Sequence, residues 1–172
     1  MPLVKSSLQK NSPLKPIYQE QFDTASNYAV VIDNERGFKS LVAQKNFLPG
    51  NCLASFYSLK ETSNPSYYSV QVSENRHIQL NPTQLQYINH SCSPNVFFDT
   101  QAGEVICIKP IRIGEHITFF YPSTEWDMSN AFSCLCGSER CLGKIQGAKY
   151  LSPDSLNRYE LSRHIRRLKQ RR

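Results

Sequence analysis

The sequence predicts a mainly β fold that is followed by a cysteine-rich segment and a C-terminal helix. Short apolar runs separated by turn residues fill the chain from Tyr28 to Tyr121, which is typical of a domain of many short strands. Three of the six cysteines then fall within the eight residues from Cys134 to Cys141. Beyond them, apolar residues recur at helical spacing.

Composition divides the 172 residues into four segments. Residues 1–25 are a polar arm with three prolines, residues 26–129 are the β-rich domain, residues 130–149 are cysteine-rich and residues 150–172 are basic. A chain of this length can bury one sizeable core. The chain contains no apolar run of about 18 residues, and its N-terminus lacks the apolar stretch of a secretory signal. We therefore expect an intracellular protein with no membrane span.

Strands are predicted where β-branched and aromatic residues cluster. Within Tyr68–Val72, apolar residues alternate with serine and glutamine, which predicts a strand with one buried face and with Gln71 on the polar face. The clearest runs are Tyr28–Asp33, Asn51–Phe56, Tyr68–Val72, Val96–Phe98, Val105–Ile108 and Ile117–Phe120.

One helix is predicted from about Pro153 to Lys169. Ser152 can cap its N-terminus, and proline suits the first helical position. The spacing of Leu161, Ile165 and Leu168 predicts an apolar stripe that docks on the domain.

Most of the positive charge lies in this last segment. The net charge is +6, of which +5 falls from Pro153 onward and +1 before it. Such a segment contacts nucleic acid or an acidic partner in some proteins, and in others it is a solvated helix face with a basic end.

The pattern Cys134-x-Cys136-x4-Cys141 indicates a zinc site. A segment this short cannot bury enough apolar surface to fold alone, and structural zinc supplies about 10–16 kcal/mol in finger-like peptides. Zinc takes four ligands in a tetrahedron, so the fourth comes from elsewhere: Cys92, Cys52, Cys107 or a histidine. The alternative is three unrelated thiols.

The segment Leu85–Asn95 reads LQYINHSCSPN, in which a short apolar stretch leads into small polar residues and a proline. Such a run predicts an irregular loop. Its donors and acceptors either hold a polar ligand or satisfy one another in a turn.

Three motifs in this order resemble the SET-domain family of lysine methyltransferases with its post-SET cysteine motif. NHSCSPN at Asn89–Asn95 is similar to the family's central signature, GEHITFFY at Gly114–Tyr121 to the next one, and FSCLCGSERCLG at Phe132–Gly143 to the post-SET pattern. The resemblance covers roughly residues 28–149. It implies a SET-type fold of several short β-sheets with a knot-like loop and a zinc-bound post-SET segment.

The resemblance also implies a cofactor, S-adenosylmethionine, and a structural zinc ion. Cys92 corresponds to the family cysteine that joins Cys134, Cys136 and Cys141 on the metal. The cofactor-binding residues that the resemblance implies are Lys39, Ser40, Tyr68, Asn89, His90, Phe132 and Leu142.

Tyr121 corresponds to the family's catalytic tyrosine, and Phe98 and Phe119 are candidates for the wall of a channel that receives the substrate lysine. An aromatic channel disfavours the ammonium by desolvation, and a phenol can orient the neutral amine. Without the neighbouring motifs, all three would be read as ordinary aromatic core.

One departure from the family lies near the start of the domain. Where the family has a Gly-x-Gly turn that brings the backbone close to the cofactor, this sequence has Phe38-Lys39-Ser40. Glycine eases a close backbone approach, so the substitution predicts weaker cofactor binding.

Three functions are consistent with these features. The first is an active methyltransferase whose partner is a protein that carries the target lysine. The second is a SET-like module that binds a peptide or the cofactor without turnover, which the altered glycine turn favours. The third is a zinc-stabilised nucleic-acid binder acting through the basic tail, although the rest of the sequence lacks the mixture of basic and aromatic residues typical of such binding.

Overall fold

The structure is a computed structural model that describes residues 26–33 and 37–172, so the predicted polar arm lies outside the described residues. The described residues form twelve strands in five small sheets, followed by two short helices, which confirms the mainly β prediction. The elements are β1 (Tyr28–Ile32), β2 (Lys39–Ala43), β3 (Cys52–Ser55), β4 (Tyr57–Thr62), β5 (Ser69–Ser73), β6 (Arg76–Asn81), β7 (Asn89–His90), β8 (Val96–Asp99), β9 (Glu104–Cys107), β10 (Thr118–Phe119), β11 (Phe132–Ser133), β12 (Lys144–Ile145), α1 (Pro153–Leu156) and α2 (Arg163–Gln170).

Three antiparallel sheets supply most of the main hydrophobic core. They are the pair β1-β2 and the three-stranded sheets β3-β9-β8 and β4-β6-β5. Burying one large aliphatic or aromatic side chain contributes about 1.5–3 kcal/mol, so a core shared by several strands fixes the sheets against one another. Side chains from six strands meet there: Leu41, Leu53, Val70, Ile78, Phe98 and Val105.

Strands β7 and β10 form a short parallel pair, with Asn89 opposite Thr118 and His90 opposite Phe119. Parallel strands need a long crossover connection, and here it contains β8 and β9. The Asn95 side chain reinforces the pair, because its amide donates to His116 O at 2.8 Å and its Oδ1 accepts from Thr118 N at 2.8 Å. The loop that begins at Asn89 and the strand that leads to Tyr121 therefore run side by side, as the resemblance implies.

The single helix predicted from Pro153 to Lys169 is in fact two helices, because residues 157–162 leave the helical path. The predicted cap is confirmed, since Ser155 N donates to Ser152 Oγ at 3.1 Å. None of the helices in residues 26–33 and 37–172 combines the length and the apolar character needed to cross a bilayer.

Tertiary contacts account for the interruption between α1 and α2. The ring of Tyr159 stacks on Phe120 with 3.6 Å between centroids and an interplanar angle of 7°. Its hydroxyl donates to Cys92 O at 2.9 Å. These contacts hold the segment between the helices against the domain. A continuous helix could not make them.

The prediction that Gln71 lies on a polar face is wrong. Its side chain is 3% exposed, although it sits in β5 between the buried Val70 and the half-buried Val72. Its Oε1 accepts from Trp126 N and its Nε2 donates to Ser73 O and Glu74 O, so both faces of the strand are covered at this point.

Candidate active site and metal centre

Four cysteines that are distant in sequence meet at one point. The Sγ atoms of Cys92, Cys134, Cys136 and Cys141 all lie within 4.8 Å of one another, and those of Cys92 and Cys134 are 3.9 Å apart. Zinc–sulfur bonds of about 2.3 Å in a tetrahedron place the sulfur atoms about 3.8 Å apart. The four thiols therefore fit a tetrahedral zinc ion. The sequence left several candidates for the fourth ligand, and the structure brings one of them, Cys92, to the trio.

The other candidates for the fourth ligand lie elsewhere or play another part. Cys52 is exposed on β3, and the Cys107 thiol donates to Lys109 O at 2.8 Å. His90 Nε2 lies 3.3 Å from Cys92 Sγ, so this ring contacts a sulfur atom of the cluster. A hydrogen bond from a neighbouring group to a ligand sulfur orients that ligand.

A bound cation would change the protonation state of the buried thiols. Burial raises the pKa of the Cys92 thiol to about 11 and raises the pKa of the Cys134 thiol as well. On their own these two groups stay protonated at neutral pH, whereas metal binding stabilises the thiolate form.

The cysteine-rich segment 130–149, hereafter the lid, packs against Tyr121. Its strands β11 and β12 pair Phe132 with Ile145, and Ile145 is fully buried beside the cysteines. The Phe132 ring lies 5.7 Å from the His90 ring and 6.0 Å from the Tyr121 ring, centroid to centroid. The lid residues that pack around the cysteine cluster thus bring an aromatic side chain close to the tyrosine.

Tyr121 begins a short 3-10 turn, Tyr121–Ser123, directly after β10. Its hydroxyl donates to Ile88 O at 3.2 Å, and its main-chain N donates to His90 Nδ1 at 3.3 Å. Burial, followed by the charge of the nearby Tyr67 phenol, raises the pKa of Tyr121 well above its usual value of 10.0. The phenol therefore stays protonated at neutral pH and is available as a hydrogen-bond donor.

The two candidate channel residues lie at different distances from Tyr121. Phe119 is adjacent, with 4.7 Å between ring centroids. Phe98 contacts Phe119 at 4.5 Å and Phe56 at 5.5 Å, and its side chain is fully buried in the main core. The channel role of both stays a prediction, and the geometry supports it more directly for Phe119.

Most of the residues assigned to the cofactor gather on one side of this site. Asn89 Nδ2 donates to Lys39 O at 3.1 Å, which joins β7 to the start of β2, where Ser40 follows. His90 contacts Phe132, and Leu142 N lies 3.4 Å from Cys92 Sγ. Main-chain groups of β2, polar groups of β7 and apolar groups of the lid thus lie close together.

Tyr68 and its neighbour Tyr67 form a separate part of the site. Tyr68 is half-exposed just before β5, and its ring contacts the Tyr67 ring edge-on at 4.9 Å. After burial, the charge of the Tyr67 phenol is the next cause that raises the pKa of Tyr121. Sequence analysis missed Tyr67, although the pair of adjacent tyrosines before the predicted strand was a visible signal.

The altered glycine turn is accommodated without backbone strain. Phe38 is 64% exposed, so its ring occupies no space inside the domain. Lys39 and Ser40 are extended residues of β2 that pair with Ile32 and Val31. A positive φ of 70° falls instead on Gly37, one residue upstream. The main chain of β2 therefore stays in place to contact a ligand. Together with the polar groups of β7 and the apolar groups of the lid, it fits S-adenosylmethionine.

Comparison with known proteins adds a family match to this geometry. The family model described as the SET domain matches residues 6–122. The methyltransferase flvH of Aspergillus flavus is 45% identical to the chain over 105 residues, which are 60% of this chain and 58% of flvH.

Similarity to histone-lysine methyltransferases is lower and shorter. The histone-lysine N-methyltransferase set9 of Schizosaccharomyces pombe is 37% identical over 68 residues, 38% of this chain and 15% of that protein. The human histone-lysine N-methyltransferase SETD1A is 38% identical over 66 residues, 35% of this chain and 4% of SETD1A. The chain thus matches a little over half of one relative and small parts of the others.

Proposed function

Because the chain belongs to the SET-domain family, we propose that it is a methyltransferase that uses S-adenosylmethionine and modifies a lysine side chain of a protein. The observation that carries this proposal is the setting of Tyr121, whose protonated phenol lies beside a main-chain carbonyl and between aromatic rings. The names of two relatives, both histone-lysine N-methyltransferases, support a protein lysine as the acceptor.

The cofactor would supply an activated methyl group on a positively charged sulfur. On the side of the site described above, Asn89 and His90 would hold it together with the main chain of Lys39 and Ser40. Phe132 and Leu142 offer apolar surface from the lid, and Tyr68 is a further, half-exposed member of the proposed set.

The residues of this chain would favour the neutral amine of the substrate lysine and orient it. A lysine has a pKa near 10.4 in water, so its neutral form costs about 4.6 kcal/mol at pH 7. The rings of Phe119, Tyr121 and Phe132 form poorly hydrated surroundings that disfavour the ammonium. The Ile88 carbonyl and the Tyr121 phenol can accept or donate hydrogen bonds, and so fix the direction of the amine lone pair.

Zinc would act in structure and not in chemistry. With four thiolates as ligands, a tetrahedral ion has no open position for water. Its role is to hold the lid against the loop that contains Cys92, which excludes water from the ring-lined site.

The basic C-terminal segment is partly engaged by the domain itself. Arg171 pairs with Glu74 at 2.7 Å, and Arg172 donates to Leu151 O at 3.0 Å while it lies 5.9 Å from the Trp126 ring. These contacts support a stabilising role for the end of α2, so we propose a protein partner and assign no nucleic acid to this segment.

Calorimetric titration of the purified chain with S-adenosylmethionine tests the cofactor, and transfer of a labelled methyl group to an array of lysine-containing peptides tests the reaction. Matched peptides with arginine in place of lysine are the control. We expect binding and lysine-dependent labelling. Absence of binding would overturn the proposal. Binding of the cofactor without labelling of any peptide would support the second function, a SET-like binding module without turnover, which the missing glycines favour.

A further inference from the structure

A buried carboxylate lies directly behind Tyr121. Glu125 follows the turn that Tyr121 begins, and its main-chain N donates to Tyr121 O at 3.0 Å. The Glu125 side chain is almost fully buried, with 8% of the residue exposed. Its Oε1 accepts from Gln71 N at 2.8 Å and from Thr124 Oγ1 at 3.2 Å. One carboxylate therefore bonds both to strand β5 and to the turn.

Gln71 completes the connection in the opposite direction. Its Oε1 accepts from Trp126 N at 2.8 Å, and its Nε2 donates to Ser73 O at 2.9 Å and to Glu74 O at 3.1 Å. Glu125 thus bonds to the main chain of β5, and Gln71 of β5 bonds to the main chain just after Glu125. Two such reciprocal bonds restrict sliding between the segments, because a shift of either one breaks both.

The two segments that are joined in this way carry the two tyrosines of the site. Tyr67 lies just before β5, and Tyr121 lies four residues before Glu125. The reciprocal bonds therefore set how the turn that begins at Tyr121 packs against β5 and the residues just before it.

Titratable groups from two further elements surround the carboxylate. His77 of β6 places its Nε2 3.8 Å from Glu125 Oε2, which is longer than a direct hydrogen bond. The His164 ring of α2 donates to Thr124 O at 2.8 Å. Burial raises the pKa of Glu125 to about 7 and lowers the pKa of both histidines. The site thus holds its carboxylate by hydrogen bonds and not by an ion pair.

We propose that Glu125 is a positioning residue for methyl transfer, which acts through Gln71 and the main chain to fix the turn that begins at Tyr121 against strand β5. This inference rests on the proposed function. The Glu125 side chain bonds to Gln71 N and Thr124 Oγ1 and not to the rings of the site, although its charge also helps to raise the pKa of Tyr121.

The test compares Glu125→Ala with Glu125→Gln. Glutamine keeps an oxygen that accepts from Gln71 N, whereas alanine removes it. We expect Glu125→Ala to lower kcat at least tenfold with less than a threefold change in KM, and Glu125→Gln to restore kcat to within about threefold of the wild type. Glu115→Ala is the control, because that carboxylate also accepts from a main-chain N, at 3.0 Å from Arg112, but in an exposed turn.

Amide hydrogen exchange gives a readout that does not depend on turnover. We expect Glu125→Ala, but not Glu125→Gln or Glu115→Ala, to speed exchange both in residues 69–73 and in residues 121–126. Equal kcat losses in the alanine and glutamine variants, or exchange that changes in only one of the two segments, would overturn the inference. A wild-type chain that methylates nothing would instead overturn the proposed function, while the exchange result would still decide whether Glu125 couples the segments.

Discussion

The hydroxyl of Tyr121 donates a hydrogen bond to the carbonyl oxygen of Ile88 at 3.2 Å, across 33 residues of chain. Ile88 is fully buried and directly precedes β7, so its carbonyl is fixed by the core. The bond ties the end of β10 to the start of the loop that contains Cys92. At this point a substrate amine would meet both a hydrogen-bond acceptor, the Ile88 carbonyl, and the Tyr121 phenol.

Replacing Tyr121 with phenylalanine should remove most methyl transfer and leave the fold intact. The ring keeps its contacts with Phe119, His90 and Phe132, and the loss of one hydrogen bond costs about 1 kcal/mol. Loss of the group that orients the amine should slow transfer about 100-fold. Single-turnover rates and thermal unfolding measure the two effects, and an unchanged rate would contradict the assigned role.

The purified chain should contain one zinc ion, bound by Cys92 and the three lid cysteines. Changing Cys92 and Cys134 to serine should abolish zinc retention, because two of four thiolates are lost. Cys52→Ser is the matched control, since that thiol is exposed on β3 and outside the cluster. Elemental analysis measures the metal, and two ions or none in the wild type would be inconsistent with the proposed lid.

Stability should depend on pH through Glu125. Burial raises the pKa of Glu125 to about 7 from 4.5, so the folded chain binds a proton that the unfolded chain has released. The resulting stabilisation is fully present below pH 4.5 and is lost as the pH rises through about 7. Relative to Glu125→Gln, the wild type should lose on the order of 2 kcal/mol of unfolding free energy between about pH 5 and pH 8.

Denaturant unfolding at several pH values measures this difference. The pKa values of His77 and His164 are lowered, which acts in the opposite sense, but both histidines are present in both proteins and largely cancel. A difference between wild type and variant that stays constant with pH would rule out a raised pKa at Glu125.

Gly147→Ala should destabilise the lid where it joins the C-terminal segment. Gly147 has a φ of 122°, and an added Cβ would lie 2.5 Å from Trp126 O. Steric conflict with backbone and an unfavourable φ together should cost about 2 kcal/mol or more. Gly114→Ala is the control, because its φ is also positive, at 84°, but nothing lies within 4 Å of the added carbon. Chemical denaturation compares them, and equal losses would refute the steric explanation.

Local sequence patterns were sufficient to predict six of the twelve described strands and to single out the cysteine trio, because each of these depends on neighbours in the chain. The cap at Ser152 was predictable for the same reason. The fourth cysteine was not predictable from spacing alone, since Cys92 reaches the trio only through folding. Only the resemblance selected it among the candidates.

The buried polar residues show where sequence patterns are insufficient. Alternation assigns the hydrophilic Gln71 to the surface and gives no sign that Glu125 is buried, yet the two segments bury both residues by exchanging hydrogen bonds. The interruption of the C-terminal helix has a similar cause. No glycine or proline breaks it within residues 157–162, and the stacking of Tyr159 on Phe120 is a long-range contact.

The cysteine cluster draws thiols from two distant parts of the chain, because Cys92 and Cys134 are 42 positions apart in sequence. A chain whose β-sheets have not assembled can offer an ion only the three thiolates of the trio, and it should release that ion readily. Zinc retention would then indicate whether a newly made chain has completed its folding. Under zinc starvation, newly made chains would accumulate with an open lid, while older chains would keep theirs.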